Sequence, residues 1–381
     1  MSKFRVAIFT GNYNHIRDGV SLTLNRLVSF LIQNDVEVIV FGPTNENPEV
    51  DHVGEFVPVP SKPAPGRPEY RLSTGLSKEA KNRLEEFDPD IVHIATPDLL
   101  GYRALKWAKK RRKVIVASYH THFPSYLKYY GFQWLEPAGW KYLRWFYSHC
   151  SQIYVPTPSM AAELKENNIS NGLIVWARGV DTNLFNPERR SEEWRSKLGI
   201  LPGDIVVTFV SRLVWEKNLK MYADVLRTLQ KDHVNVKALV VGSGPAGDEF
   251  KSLLPYAIMT GFLEGEELAR SYASSDIFFF PSDTETFGSV TLEAMASGLP
   301  CVVADAAGSK SLVENSVNGY RAEAEDFEAF LDHTESLIKY PELREEMGTN
   351  SLEKAKEYSW ENINRKLLSC YREMLSNKQE G

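Results

Sequence analysis

The chain has 381 residues, 43% of them hydrophobic and 25% charged, with a formal net charge of −6. That length exceeds one ordinary core and suits two domains, and the negative balance gives no global basic field for nucleic acid. Three cysteines, Cys150, Cys301 and Cys370, lie far apart with no CxxC pair, which argues against a disulfide framework or a zinc site and suits a reducing compartment.

The opening residues MSKFRVAIFT place charge before an apolar run, but that run covers only Val6–Phe9. It reads as a first buried strand and not as a signal sequence. No stretch reaches the roughly 20 apolar residues of a membrane span. The expectation is a cytoplasmic protein, soluble or attached peripherally at the inner face of the membrane.

Short β-branched runs alternate with longer amphipathic segments, the rhythm of parallel α/β units. Strands are expected at Arg5–Thr10, Val36–Phe41, Ile91–Ala95, Val114–Ser118, Gln152–Val155 and Leu173–Trp176, with helices at Gly19–Gln33, Ser77–Phe87, Leu99–Lys110 and Ser159–Asn167. Ser159 is a candidate cap for the last of these. Pro60–Gly75, rich in Pro, Gly and basic residues, reads as a loop beside the ligand cleft, with a plain surface connection as the alternative. The run Lys109–Lys113 reads most simply as a helix C-terminus whose cations offset the dipole, with a lipid-phosphate contact as the alternative.

A second series follows the polar stretch Asn186–Gly203. Its strands are Ile205–Ser211, Val236–Val241, Ala257–Met259, Ile277–Pro281 and Cys301–Ala304; its helices are Asn218–Lys231, Ala246–Leu253, Gly265–Ser274, Ser289–Ser297 and Ser309–Glu314. From Phe327 the chain is helical and charged. The pattern describes an α/β protein of two doubly wound, Rossmann-like domains, residues 1–185 and 186–355, with a C-terminal helix over 356–381 expected to pack back on the first domain.

Three segments of the second half fall at strand C-termini, where open α/β sheets bind ligands. In the loop Ser211–Asn218, Arg212 and Lys217 are placed to bracket a diphosphate, one as a fork and one as a point charge. Gly242-Ser243-Gly244-Pro245-Ala246-Gly247 matches the dinucleotide fingerprint GxGxxG. It follows the second strand of its domain instead of the first, however, and Pro245 removes an amide from the cradle. A glycine-lined turn facing another ligand and a plain structural turn are the other readings. In the third segment, Pro281–Glu293, the amides of Phe287, Gly288 and Ser289 open a helix and form an anion site, while Glu293, inside an apolar helix, needs a partner.

Here the residues carry a family resemblance. Asp18-Gly19-Val20, His120 within SYHTHF, Arg178-Gly179-Val180-Asp181, Arg212 with Lys217, Gly242-x-Gly244-Pro245, and Glu285 with Glu293 ahead of Ala294-Met295-Ala296-Ser297-Gly298-Leu299-Pro300 occur in the order found in retaining glycosyltransferases of family 4. The resemblance implies the GT-B fold, with two Rossmann-like domains facing across a cleft. It implies that Arg212 and Lys217 bind the diphosphate of a UDP- or GDP-hexose and that Glu293 holds the ribose. Glu285, with backbone at Thr286, Phe287, Gly288, Ser289 and Val290, holds sugar and phosphate; Phe262 and Leu263 meet the base; Gly19 approaches the phosphates; and His120 touches the donor sugar. No cofactor and no metal are implied. Two departures stand out: Asp18 replaces a glycine and is expected to turn toward acceptor or solvent, and Lys310 stands where the family often has proline, without an evident role.

Between His120 and Tyr147 lies a dense aromatic stretch that includes Phe123, Tyr126, Tyr130, Trp134, Trp140 and Trp145, interleaved with Lys128, Lys141 and Arg144. Membrane interface or lipid acceptor, sugar stacking and interdomain core are all open readings. The stretch is similar to lipid-directed family members, sulfoquinovosyldiacylglycerol synthases and glycolipid mannosyltransferases among them. A lipid or glycan acceptor and an anionic membrane surface are therefore the expected partners. His120 and His122 share a strand face, but no third metal ligand is evident. The rival functions are an NAD-linked oxidoreductase built on the glycine motif and a non-catalytic nucleotide-sugar or membrane-surface binding protein.

Overall fold

The computed structural model describes residues 3–64, 67–119, 134, 136–284, 287–306 and 308–380. The chain divides into two compact units, Met1–Ala177 with Ile363–Gly381, and Arg178–Asn362. The expected boundary near 185 moves to 177. Val180 bridges Ser359, and the ring of Phe185 meets that of Tyr272 at 5.8 Å, so residues 178–185 pack within the second unit. The C-terminal change of unit falls after Asn362 and not at 356, within a helix that starts at Trp360.

The first unit is built on strands β1 (Arg5–Phe9), β2 (Glu37–Gly42), β3 (Glu55–Pro58), β6 (Ile91–Ile94), β7 (Val114–Ser118), β8 (Gln152–Val155) and β9 (Leu173–Val175), in spatial order β3-β2-β1-β6-β7-β8-β9. Every pairing is parallel. Their continuous apolar runs suit a sheet covered on both faces. Between β3 and β6, β4 (Ser61–Ala64) pairs antiparallel with β5 (Arg67–Ser73), so the segment read as a loop is a hairpin. Pro63 is tolerated because a two-stranded ribbon is all edge.

Capping side chains define the helices. Asp18 accepts from the Val20 and Ser21 amides to start α1 (Gly19–Gln33) in a capping box. Ser77 caps α2 (Lys78–Phe87) and Asp98 caps α3 (Leu99–Lys110). The aromatic stretch continues into α4 (Glu136–Tyr147), whose Trp140, Leu143, Phe146 and Tyr147 are buried in this unit's own core. The cap of α5 (Pro158–Glu166) is Thr157 and not Ser159, because Pro158 occupies the first helical position and shifts the start by one residue.

In the second unit, α6 (Glu192–Lys197) precedes strands β10 (Ile205–Val210), β11 (Val236–Val241), β12 (Ile258–Gly261), β13 (Ile277–Phe280), β14 (Cys301–Ala304) and β15 (Gly319–Ala322). Their order is β12-β11-β10-β13-β14-β15, all parallel. This is the doubly wound order 3-2-1-4-5-6, with its switch point between β10 and β13. The helices are α7 (Leu219–Asp232), α8 (Gly247–Leu253), α9 (Gly265–Ala273), α10 (Ser289–Ala296), α11 (Phe327–Lys339) and α12 (Pro341–Glu357). The segment expected to be helical at Ser309–Glu314 forms turns instead. Ser309 Oγ bonds back to the carbonyls of Ala304 and Ala306 and competes with helix formation.

The last helix, α13 (Trp360–Glu380), is anchored in the first unit by a buried polar chain. His93, in the middle of the sheet, lies 2.5 Å through Nδ1 from the Tyr371 hydroxyl and 2.5 Å through Nε2 from the Ser118 hydroxyl. Among the described residues, no helix is long and apolar enough to cross a membrane, and no group of three His, Cys, Asp or Glu could hold a metal.

Candidate functional site

Because the strands of the second sheet are parallel, the loops after β10, β11, β12 and β13 gather at one edge. The first two are bonded to each other. Leu213 N–H donates to Ser243 O at 2.9 Å, and Ala246 N–H donates to Leu213 O at 3.0 Å. This close approach accounts for both glycines of the fingerprint. A Cβ on Gly242, whose φ is +135°, would lie 1.9 Å from Ser211 O, and one on Gly244 would lie 2.4 Å from Leu213 O. The Ala246 and Gly247 amides, which a dinucleotide would need, bond to Leu213 O and Gly244 O.

After β10 the chain makes one turn of 3-10 helix, Trp215–Lys217, and reverses at Asn218 with a left-handed φ of 56°. Asn218 holds three loops together. Its Nδ2 donates to Pro281 O at 3.3 Å and to Ala324 O at 2.8 Å, so the ends of β10, β13 and β15 share one side chain. The adjacent Lys217 reaches across the switch point, its Nζ donating to Thr284 Oγ1 at 3.0 Å. Ser282 Oγ stands 3.0 Å from the same hydroxyl. Arg212 lies on this loop with its side chain 71% exposed and its guanidinium 3.8 Å from Glu216.

Beyond Thr284, Phe287 buries its ring edge-on to Tyr358 at 6.5 Å. Gly288, at φ +85°, turns the chain into α10. A Cβ there would meet Leu312 Cδ1 at 3.3 Å. Phe287 thus fixes the turn from the core side, leaving Ser289 and Val290 half-buried at the start of α10, where first-turn amides have no partner within the helix. One turn on, the Glu293 carboxylate accepts from the Tyr272 hydroxyl at 3.1 Å. Burial and the neighbouring carboxylate push the Tyr272 phenol well above its ordinary pKa, so it stays a donor at physiological pH. After β12, Phe262 is 70% exposed and Leu263 half-buried, while Gly242 N–H donates to Gly261 O at 2.8 Å.

Lys310 has a structural partner. Asp305 receives Lys310 at 3.3 Å and Arg321 at 3.2 Å, an ion triad behind the end of β14. In the first unit, the half-buried Asp18 caps α1. Its Oδ1 accepts from Val20 and Ser21, its Oδ2 takes Asn12 Nδ2 at 2.7 Å, and it sets the exposed Gly19 at the first position of α1. Trp134 is 72% exposed. His120, Phe123, Tyr126, Tyr130, Glu285 and Thr286 lie outside the described residues.

The structure therefore joins Lys217, Thr284, Gly242 and Gly244 at one sheet edge and pairs Glu293 with Tyr272. Asn218, Ser282, Thr284 and Tyr272 were not among the expected site residues. Asn218, before an amphipathic helix, carried a sequence signal as a residue tolerant of positive φ. Tyr272 carried none, since its partner lies 21 residues away.

The family model described as Glycosyl transferases group 1 matches residues 190–354, and that described as Glycosyltransferase Family 4 matches residues 17–184. The chain is 32% identical over 351 residues to sulfoquinovosyl transferase SQD2 of Arabidopsis thaliana, covering 90% of this chain and 68% of that protein. It is 31% identical over 379 residues to a GDP-mannose-dependent alpha-mannosyltransferase of Corynebacterium glutamicum, covering 98% and 90%. Among solved structures, sucrose-phosphate synthase of Thermosynechococcus elongatus superposes with a TM-score of 0.73 at 17% identity, covering 98% of this chain and all of that one. Anabaena HepE in complex with UDP and glucose superposes with a TM-score of 0.68 at 17% identity, covering 97% and 100%. With both halves matched in order and the two parallel sheets of the GT-B fold, the chain belongs to the group 1, family 4 glycosyltransferases.

Proposed function

We propose that this glycosyltransferase moves a hexose from a UDP- or GDP-sugar to a hydroxyl of a lipid or glycan acceptor with retention of anomeric configuration. The observation that carries the reading is the Lys217–Thr284 hydrogen bond across the β10/β13 switch point, 3.0 Å long. It holds an ammonium at the place where open α/β sheets take their ligands. Arg212 adds a second cation from the same loop, and the first-turn amides of α10 add donors. Glu293, steadied by Tyr272, is suited to a ribose diol, and the exposed Phe262 and its neighbour Leu263 to a base. Glu285 and His120 enter this reading through the family resemblance alone.

In the proposed reaction the acceptor hydroxyl attacks the anomeric carbon on the face the diphosphate leaves. A bond forms from the acceptor oxygen to that carbon, the bond to the diphosphate oxygen breaks, and the hydroxyl proton passes to a β-phosphate oxygen. Charge grows on the diphosphate as the bond breaks, so Lys217, Arg212 and the α10 amides act most strongly in the transition state. The lipid side of the proposal is supported by the names of relatives: sulfoquinovosyl transferase SQD2, and alpha-monoglucosyldiacylglycerol synthase of Streptococcus pneumoniae, 26% identical over 381 residues. An enzyme of this kind works at the membrane surface from the cytoplasmic side.

Titration of the full chain with UDP, GDP and NADH, followed by thermal shift, tests the donor reading, since a specific ligand raises stability by mass action. A saturable rise with UDP or GDP is expected. A rise with NADH alone overturns the transferase reading in favour of the oxidoreductase. Nuclear magnetic resonance of the fresh product tests retention: an inverted anomer overturns the front-face step.

A further inference from the structure

We propose that this enzyme takes its hexose from a guanosine-diphosphate sugar and that Glu264 is the residue that selects the base. The inference rests on the nucleotide-sugar reading above and narrows it. Phe262, Leu263 and Glu264 join β12 to α9 at the ligand edge of the second sheet. The Gly242 N–H, donating to Gly261 O at 2.8 Å, ties their loop to the glycine turn after β11. Exposure alternates along the segment: Phe262 and Glu264 are exposed, while Leu263 between them is half-buried. Phe262 keeps 70% of its surface open, and an aromatic face so placed can take a planar ring. There is room for one, since a Cβ on Gly261 or Gly265, the residues that bracket the segment, would meet nothing within 4 Å.

The helix that follows does not account for Glu264. It stands at the N-cap of α9 with extended backbone, φ −143° and ψ 166°, yet its carboxylate accepts no cap bond. Ser, Thr, Asp or Asn would satisfy a free amide there. The next two acids are both paired, Glu266 with Arg189 at 3.5 Å and Glu267 with Arg270. Among the described residues, the Glu264 carboxylate has neither an ion pair nor a hydrogen bond. An unpaired carboxylate beside an open aromatic ring fits one base best. Guanine carries its N1–H and its N2 amino group side by side, two donors that a single carboxylate accepts together. Uracil presents one N3–H between two carbonyl oxygens, which a carboxylate repels. Adenine has a bare ring nitrogen where guanine has N1–H. A purine also covers more of the Phe262 ring than a pyrimidine does.

The test is calorimetric titration of the full chain with GDP, inosine diphosphate, UDP and ADP at one pH and ionic strength. GDP is expected to bind on the order of 10- to 100-fold more tightly than UDP or ADP. Inosine diphosphate, which keeps N1–H but lacks the amino group, is expected to fall between GDP and UDP. Glu264→Gln keeps the length of the side chain and removes its charge and one acceptor; it is expected to weaken GDP roughly 10-fold or more and to leave UDP unchanged. Glu266→Gln, which alters the neighbouring acid that Arg189 already pairs, is expected to bind all four as the wild type does. UDP bound as tightly as GDP, equal affinity for GDP and inosine diphosphate, or undiminished GDP binding by Glu264→Gln overturns the base assignment. Equal weakening of GDP and UDP by Glu264→Gln overturns it too, because a side chain that only shapes the loop would act on both. In each of these cases a bound nucleoside diphosphate leaves the transferase reading standing, whereas failure of all four to bind sinks that reading and this inference with it.

Discussion

Tyr272 and Glu293 meet through a 3.1 Å hydrogen bond between helices α9 and α10, the phenol fully buried and the carboxylate half-exposed at the ligand edge of the sheet. A buried donor on one carboxylate oxygen fixes the orientation of the other. Tyr272→Phe removes the donor and keeps the ring that packs on Phe185 and Phe278. Hydrogen bonds to charged groups contribute about 1.5–3 kcal/mol, so nucleoside diphosphate binding should weaken roughly 10- to 100-fold. Calorimetric titration checks this. KM for the donor should rise more than kcat falls.

Lys217 is the cation at the switch point. Lys217→Ala should lower kcat on the order of 100- to 1,000-fold, by analogy with the loss of one oxyanion donor. Steady-state kinetics with the donor identified by thermal shift measures it, and wild-type turnover would remove Lys217 from the proposed chemistry. Thr284→Val should cost less, because it frees the ammonium without deleting it.

Two glycines of the second unit should separate steric from conformational cost. Gly242→Ala drives a methyl to 1.9 Å from Ser211 O at a φ of +135°, and a loss on the order of 3 kcal/mol is expected. Gly261→Ala, at φ +75° with nothing within 4 Å of the new Cβ, should cost only about 1–2 kcal/mol for the left-handed backbone. Denaturant melts of the two variants would show the order, and reversal of it would contradict the loop contact.

Asp98 makes stability depend on pH. Burial raises its carboxyl from the usual 3.8 to about 6, against the opposing hydrogen bonds from the backbone amides of α3. A folded-state pKa above the unfolded value means the folded form binds the proton more tightly. Its contribution is full below pH 4 and is lost as pH rises through 6. Asn keeps the capping oxygen without the charge. Asp98→Asn should therefore match the wild type near pH 3.5 and exceed it by on the order of 2 kcal/mol at pH 8. Melts across that range check the sign.

Local chemistry fixed much of this protein in advance. The limits of α1 and α3 coincide with expectation because Asp18 and Asp98 mark their starts and apolar spacing carries them on. The ligand edge was legible in the strand–loop–helix order around Arg212, Gly242 and Gly288, since parallel strands bring their C-terminal ends together whatever the detail. Two strands were not legible: β3 (EFVP) and β15 (GYRA) break their apolar residues with charge, proline or glycine, unlike the mostly apolar runs of β6 and β14, and the proline-bearing hairpin read as loop.

What sequence alone decided is the class of fold, the family and the set of cations and acids available for chemistry, because these rest on patterns within one segment. Tertiary structure decided which of them meet. Asn218 binds three loops, Lys217 finds Thr284 67 residues away, Lys310 shares Asp305 with Arg321, and His93 links Ser118 to Tyr371 across 278 residues. Each of these contacts depends on strand order, and those of His93 also on the burial that removes water as a competing partner. Neither is written in the spacing of neighbouring residues.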